Sequence, residues 1–198
     1  MLLVKQAVDP AHPYFEYTGR IDECVNRMAS IVRHMYDLYR PQQSHLVPQN
    51  IVPIVRTAIN IMLPVAENCQ VSLKARLPHR MITVECLSTE LVQVLCNLIH
   101  NAVDASAPEQ VVMVCTTVNE TSLVLSVSDQ GAGIPPDVVS HIFEPFFTTK
   151  GNQEGQSFGL GLGLSVSRSL IESMGGELDC TSNGTKGSIF TVTLPLVH

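Results

Sequence analysis

The sequence is short of aromatic side chains. It has no tryptophan, and aromatic residues make up 5% of its 198 positions, so a core has to be built chiefly from aliphatic groups. Basic residues are also few: 12 Lys and Arg stand against 18 Asp and Glu, for a net charge of −6. That balance excludes a generally basic surface for nucleic acid. The six cysteines, Cys24, Cys69, Cys86, Cys96, Cys115 and Cys180, are scattered with no Cys-x-x-Cys spacing, which leaves no pattern for a zinc or redox site. Several lie in apolar runs such as VMVCTT, where a free thiol packs as a small core residue, as expected in a reducing, cytoplasmic compartment. No uninterrupted apolar run reaches the length that spans a bilayer, and no signal peptide is evident. Membrane attachment is therefore expected only through segments upstream of this chain.

What the sequence does have is 45% hydrophobic residues, enough for one well-buried domain and a small additional element. In TGRIDECVNRMASIVRHMYDLYRP, Ile21, Val25, Met28, Val32, Met35 and Tyr39 alternate four and three residues apart, which is a heptad seam. Cys24, Ile31 and Leu38 widen the stripe, as in a four-helix bundle, and Pro41 stops the helix. PQQSHLVPQN reads as a linker. IVPIVRTAINIMLPVAENC reads as a helix, QVSLKARL and MITVEC as short strands. STELVQVLCNLIHNAVDASA is a strong helix pattern, with Leu91, Val94, Leu95, Leu98, Ala102 and Ala105 on one apolar face and Ser88 or Thr89 as its cap. EQVVMVCTTVNE and TSLVLSVSD read as antiparallel strands turning at Asn119-Glu120. GLGLSVSRSLIESMGG is a helix between glycines, and GELDCTSN with GSIFTVTLPL a closing hairpin. This mixed order indicates an α+β two-layer sandwich rather than a parallel sheet of βαβ units.

Three short motifs carry chemistry. NLIHNAVDA sets Asn97 and Asn101 one helical turn apart on one face. An amide oxygen there can serve Mg²⁺, which keeps waters and nucleotide phosphates for its other positions. DQGAG follows an apolar strand. Its ionised Asp129 can only accept hydrogen bonds, which suits the exocyclic amine of adenine, and Gly131 and Gly133 permit a flat ligand to approach closely. GLGLGLS places Gly159, Gly161 and Gly163 before a helix, where backbone amides bind phosphate; the spacing is neither the Walker nor the dinucleotide pattern. Taken singly, each motif also fits a bland role: a solvated polar face, an Asp-Gly corner, a flexible helix start.

Together and in this order the motifs resemble the catalytic ATP-binding domain of two-component sensor histidine kinases, within the superfamily that includes gyrase, heat-shock chaperones and mismatch-repair ATPases. ELVQVLCNLIHNAVDA is similar to the N box, DQGAGI to the first glycine box, FEPFFTTK to the F box, GLGLGLS to the second glycine box and NGTKGSIFTVTLP to the closing segment. The resemblance implies ATP and Mg²⁺ as cofactors. Asn101 would hold the metal, Asn97 and Lys150 are the candidate catalytic residues as well as nucleotide contacts, and Asp104 adds to the N box. Asp129, Gly131, Gly133 and Ile134 would shape the adenine pocket. Phe143, Phe146 and Phe147 would anchor a mobile ATP lid, with Thr148, Thr149 and Lys150 at its start. Gly159, Leu160, Gly161, Leu162, Gly163 and Leu164 would meet the phosphates; Leu160 stands where the family commonly has Thr, so a hydroxyl contact is missing.

The resemblance also divides the chain. Residues 1–45 match a remnant of the dimerisation and phosphoacceptor hairpin, with a homodimer expected through residues 20–40, and residues 46–198 match the catalytic domain. None of the seven histidines sits in a His-Glu/Asp-x-x-x-Pro pattern; His34, for example, is followed by Met-Tyr-Asp. The acceptor is therefore expected on a helix that begins before Met1, and this chain alone is expected not to autophosphorylate. The implied function is a histidine kinase core that transfers the γ-phosphoryl group of Mg-ATP to a His, for relay to an Asp of a response-regulator receiver domain. Two other readings stay open. A hydrolysing ATPase of the superfamily would need a Glu as base for water where Asn97 stands. A nucleotide-sensing dimeric scaffold would account for Leu160 and the missing acceptor.

Overall fold

The computed structural model describes residues 45–149 and 161–196, apart from Asn183 and Thr185. The heptad segment with its dimer, the lid beyond Thr149, and the candidate residues Lys150, Gly159 and Leu160 lie outside the described residues.

The element order is β1 (Val47–Asn50), α1 (Ile51–Asn68), β2 (Ser72–Arg76), β3 (Thr83–Cys86), α2 (Ser88–Ala105), β4 (Val111–Val118), β5 (Ser122–Ser128), α3 (Pro136–Val139), α4 (Gly163–Ser173), β6 (Glu177–Ser182) and β7 (Ser188–Pro195). A five-stranded sheet has the order β2-β4-β5-β7-β6, and β1 pairs with β3 in a separate two-stranded sheet. One face of the large sheet is buried. Val112 and Val114, Leu123, Leu125 and Val127, and Phe190, Val192 and Leu194 are each at most 4% exposed, while the residues between them are more open. That period of two follows from the alternation of side chains along a strand. The second layer is helical: α1 packs on α2, and α2 on α4. In α2, Leu91, Leu95, Leu98 and Ile99 are at most 1% exposed, and each contributes about 1.5–3 kcal/mol by leaving water. The two-layer α+β sandwich expected from the pattern is the fold observed. No helix among the described residues is long and apolar enough to cross a membrane.

Several local expectations change. Residues 47–50 are a strand, not a linker: Val47 pairs with Cys86 and Asn50 with Thr83. Pro48 is tolerated because this small sheet has only edge strands. Asn50 then caps α1, its Oδ1 accepting from the Val52 N–H at 3.2 Å. Neither Ser88 nor Thr89 caps α2. The chain leaves β3 directly into the helix, Leu87 holds the cap position without a side-chain hydrogen bond, and its carbonyl accepts from the Leu91 N–H at 2.9 Å. Ala105 is exposed, while Ile99 and Val103 join the buried stripe. The sheet also contains one parallel pair, β2–β4, with β3 and α2 as the connection between its strands.

Only some of the thiols pack as core groups: Cys86 is buried and Cys96 and Cys180 pack against the core, whereas Cys69 is exposed and Cys115, the thiol of VMVCTT, falls on the opposite face of its strand from Val112 and Val114. Burial, helped by neighbouring carboxylates, pushes Cys86 and Cys180 up to about 11, which keeps them protonated and unreactive at neutral pH. Cys69, Cys86, Cys96, Cys115 and Cys180 are all free. A second buried polar group is less well served. Thr116, 8% exposed, has a hydroxyl with no hydrogen-bond partner among the described residues. Replacing that hydroxyl with a methyl group removes a desolvation cost at nearly constant volume. Thr116→Val should therefore stabilise the domain by about 1 kcal/mol, read as a higher urea midpoint at unchanged m value.

Candidate functional site

The site is built around the end of β5. There Asp129 places its two carboxylate oxygens on two different backbone donors. Oδ1 accepts from the Gly131 N–H at 2.8 Å, and Oδ2 accepts from the Ser188 N–H at 3.2 Å. The Asp129 N–H in turn donates to the Ser188 carbonyl at 3.0 Å. Each oxygen retains acceptor capacity for a further donor. The loop beyond is fastened to the β6–β7 hairpin: the Gly187 N–H donates to the Gly131 carbonyl at 2.7 Å, and the Ile134 N–H donates to Ser182 Oγ at 2.7 Å. Two glycines make this possible. A Cβ on Gly131 would strike the Ala105 carbonyl, and Gly187, at φ +64°, would strike the Asp129 carbonyl. Burial raises the Asp129 carboxyl above the ordinary aspartate value, against the opposing pull of the Gly131 and Ser188 N–H groups.

The N box faces the second glycine box directly. On α2, the Asn97 Nδ2 donates to Ser167 Oγ of α4 at 3.0 Å, and a Cβ on Gly163 would strike Asn97 Oδ1. The first turn of α4 thus sits against this amide. Asn101 lies one turn further along α2 and is half-buried. Asp104 pairs with His100, Oδ2 to Nδ1, at 3.3 Å. The side chain of Leu162 is 1% exposed and Leu164 packs on the core, so what these residues can offer a ligand is backbone. No side chain caps the start of α4, which leaves its first amides uncommitted to a cap.

The F box is held from two sides. The Arg168 guanidinium of α4 lies 3.9 Å from the centre of the Phe143 ring and donates to the Leu178 carbonyl at 3.2 Å. Phe143 and Phe147 pack against the core. Phe146 behaves differently: its ring is 69% exposed and its backbone is left-handed at φ 67°. It anchors through the main chain, its N–H donating to the Gly161 carbonyl at 2.9 Å. Thr148 and Thr149 are exposed.

The structure therefore brings Asn97 to Gly163 and Gly131 to the end of α2, so that both glycine boxes touch the N-box helix. It also adds residues that the motifs had not singled out. Ser188 orients Asp129 and is 4% exposed; Ser182 holds the Ile134 loop and Ser167 holds Asn97. Ser188 was within reach of the strand alternation, because it shares the inward face with Phe190, Val192 and Leu194. Ser167 stands one helical turn after Gly163.

This arrangement is that of a nucleotide-binding ATPase domain of the histidine kinase type. The profile described as histidine kinase-, DNA gyrase B-, and HSP90-like ATPase matches residues 86–198, and the chain belongs to that family. Over 173 residues it is 30% identical to sensor histidine kinase ZraS of Salmonella typhimurium, covering 87% of this chain and 36% of that protein. Over 197 residues it is 32% identical to sensor protein FixL of Bradyrhizobium diazoefficiens, covering 98% and 38%. The chain thus spans little more than a third of the length of these curated relatives. The nucleotide-free catalytic domain of histidine kinase ThkA superposes with a TM-score of 0.68 at 27% identity, over 77% of this chain and 99% of that domain. ThkA in complex with response regulator protein TrrA shares the fold, with a TM-score of 0.76 at 22% identity, over 99% of this chain and 55% of that one.

The raised Asp129 has a consequence for pH dependence. The folded protein holds this proton more tightly than the unfolded chain, so the group's contribution to stability is fully present below the unfolded pKa. It is lost as pH rises through the raised folded value. Acceptor function runs the other way, since the protonated carboxyl gives up acceptor capacity on acidification. A ¹³C titration of the Asp129 carboxyl carbon should give a midpoint above the ordinary aspartate value; a midpoint below it would show that the two N–H groups outweigh burial.

Proposed function

We propose that residues 46–198 are the catalytic domain of a sensor histidine kinase. In this reading the domain binds Mg-ATP and transfers the γ-phosphoryl group to a histidine on a dimerisation helix, for relay to a response-regulator aspartate. The homodimer through residues 20–40 is part of the same proposal. The observation that carries it is Asp129: a half-buried carboxylate, aimed by two backbone N–H groups, in a loop that abuts the helix bearing Asn97 and Asn101.

The residues suit the nucleotide. The spare acceptor capacity of Asp129 matches the adenine amine, with Gly131, Gly133 and Ile134 shaping the loop around it. The residues leading into α4, Gly161 and Leu162, and the uncapped start of the helix, Gly163 and Leu164, offer amides to phosphates. They also suit Mg²⁺ shared with a nucleotide. The Asn101 amide oxygen is a hard donor, and no group of three His, Cys, Asp or Glu side chains among the described residues could cage the ion alone. Phosphate oxygens and water would complete its shell, and the bound ion would neutralise phosphate charge. Lys150 would add a further positive charge.

Hydrolysis is the weaker reading. A water-activating base is needed where Asn97 stands, an amide cannot take that proton, and its Nδ2 is engaged by Ser167. In the kinase reading the acceptor imidazole is itself the nucleophile, so this domain has only to position and stabilise.

Calorimetry with ATP provides the test of binding. Asn101→Ala should weaken binding in Mg²⁺ and change little in excess chelator. Asp129→Ala should lose roughly 1–3 kcal/mol, about 5- to 150-fold in affinity; unchanged affinity would remove the adenine assignment. With labelled ATP, a helical fragment carrying a His-Glu-x-x-x-Pro motif should acquire acid-labile phosphate, while the chain alone labels none of its own histidines. Steady phosphate release with no labelled histidine would favour hydrolysis instead.

A further inference from the structure

The nucleotide site makes no use of the outward face of the five-stranded sheet. Its side chains lie in transverse rows set by strand register. One row runs Arg76, Cys115, Ser126, Thr191, Asp179 across the whole sheet. The three middle strands, β4, β5 and β7, contribute no charged side chain to this face, only hydroxyls and apolar groups such as Met113, Val124 and Thr193. All its charge is on the edges, and each edge has one sign. Lys74 and Arg76 are exposed on β2, and Glu177 and Asp179 are exposed on β6. Four strand spacings, roughly 19 Å, separate the two edges. That is well beyond the roughly 8 Å over which exposed charges interact at physiological salt, so the opposed edges do nothing for each other within one chain.

We propose that this face packs on the same face of a second copy of this chain, about a two-fold axis that runs parallel to the strands over β5. β5 is the middle strand of the order, which is what such an axis requires. The operation keeps position along the strands and reverses the order across them. β2 then lies over the partner's β6, and β4 over the partner's β7. Because Arg76 and Asp179 share a row, Arg76 faces the partner's Asp179, and Asp179 faces the partner's Arg76. The other in-plane two-fold, across the strands, would set β2 on β2 and bring like charges together, so the charge pattern selects between the two arrangements. Uncharged middle strands let the sheets approach to the usual separation of about 10 Å. The face measures about 24 by 20 Å, so the contact buries on the order of 1,000 Å² in total. That is the low end for specific interfaces, and with many hydroxyls it describes a weak, reversible association.

The test is self-association of the full chain by sedimentation, with nucleotide binding as the check on folding. Arg76→Glu and Asp179→Arg should each weaken the association by about tenfold or more, and the double variant should recover it. High salt should weaken the wild type and not a neutral Arg76→Gln/Asp179→Asn pair. Ser126→Cys, on the axis, should give a dimer cross-linked by a short bis-maleimide that the parent chain, with its own exposed Cys69 and with Cys115 in the same row, does not give. A dimer formed only by another segment would ignore both reversals, and that result would overturn the proposal. So would a wild type that shows no salt-sensitive association step, a double variant that fails to recover, or an Arg76→Glu variant that associates more tightly.

Discussion

The hydrogen bonds that Asp129 makes to the starts of two neighbouring segments hold the functional half of this domain together. A carboxylate that leaves water loses solvation, and here it regains part of that through the N–H groups of Gly131 and Ser188. The two bonds offset part of the cost of burial, which still leaves the carboxyl above its ordinary value, and what they supply is geometry. They act where β5 and β7 begin to pair at the centre of the sheet, so one side chain sets both the strand register and the path of the loop. The close approach this demands also explains the glycines, since a Cβ at either Gly131 or Gly187 would meet backbone.

The helix α2 does for the other boxes what Asp129 does for the first. Its middle turn holds α4 through Asn97, Gly163 and Ser167, and its last turn abuts Gly131 at the Ala105 carbonyl. Motifs that are far apart in the chain thereby border one element. A buried apolar stripe fixes that element against the sheet, so the geometry of the polar side is inherited from the packing of the apolar side.

Much of this was legible in the sequence because it is periodic. Strands β4, β5 and β7 and helix α2 are set by alternation or by the helical repeat, which are local signals. What was not legible depends on partners distant in sequence. β1 looks like a linker because its polar, proline-containing segment is a strand only by virtue of β3. Likewise, β2 becomes parallel to β4 only through the sheet that both join. The spacing of Asn97 and Asn101 identifies a polar face, but not that Asn97 meets Ser167. Phe146 reads as a buried anchor from its residue type, yet a left-handed backbone turns its ring to solvent while its neighbours fill the core. Ser188 lay in plain alternation with three core residues, and only the position of Asp129 gave its amide a role.

The pairing of Asp129 with Ser188 spans 59 positions in the chain, and this orders events during synthesis. At about 5–20 residues per second, β5 waits on the order of 3–12 s for β7. During that interval one side of β5 is an open edge with unmet N–H and C=O groups, and the carboxylate has lost one of its two donors. Ligand can stabilise only a state that binds it. With the nucleotide role proposed for Asp129, nucleotide would give no help to the nascent sheet and would act only on chains that have already received β7.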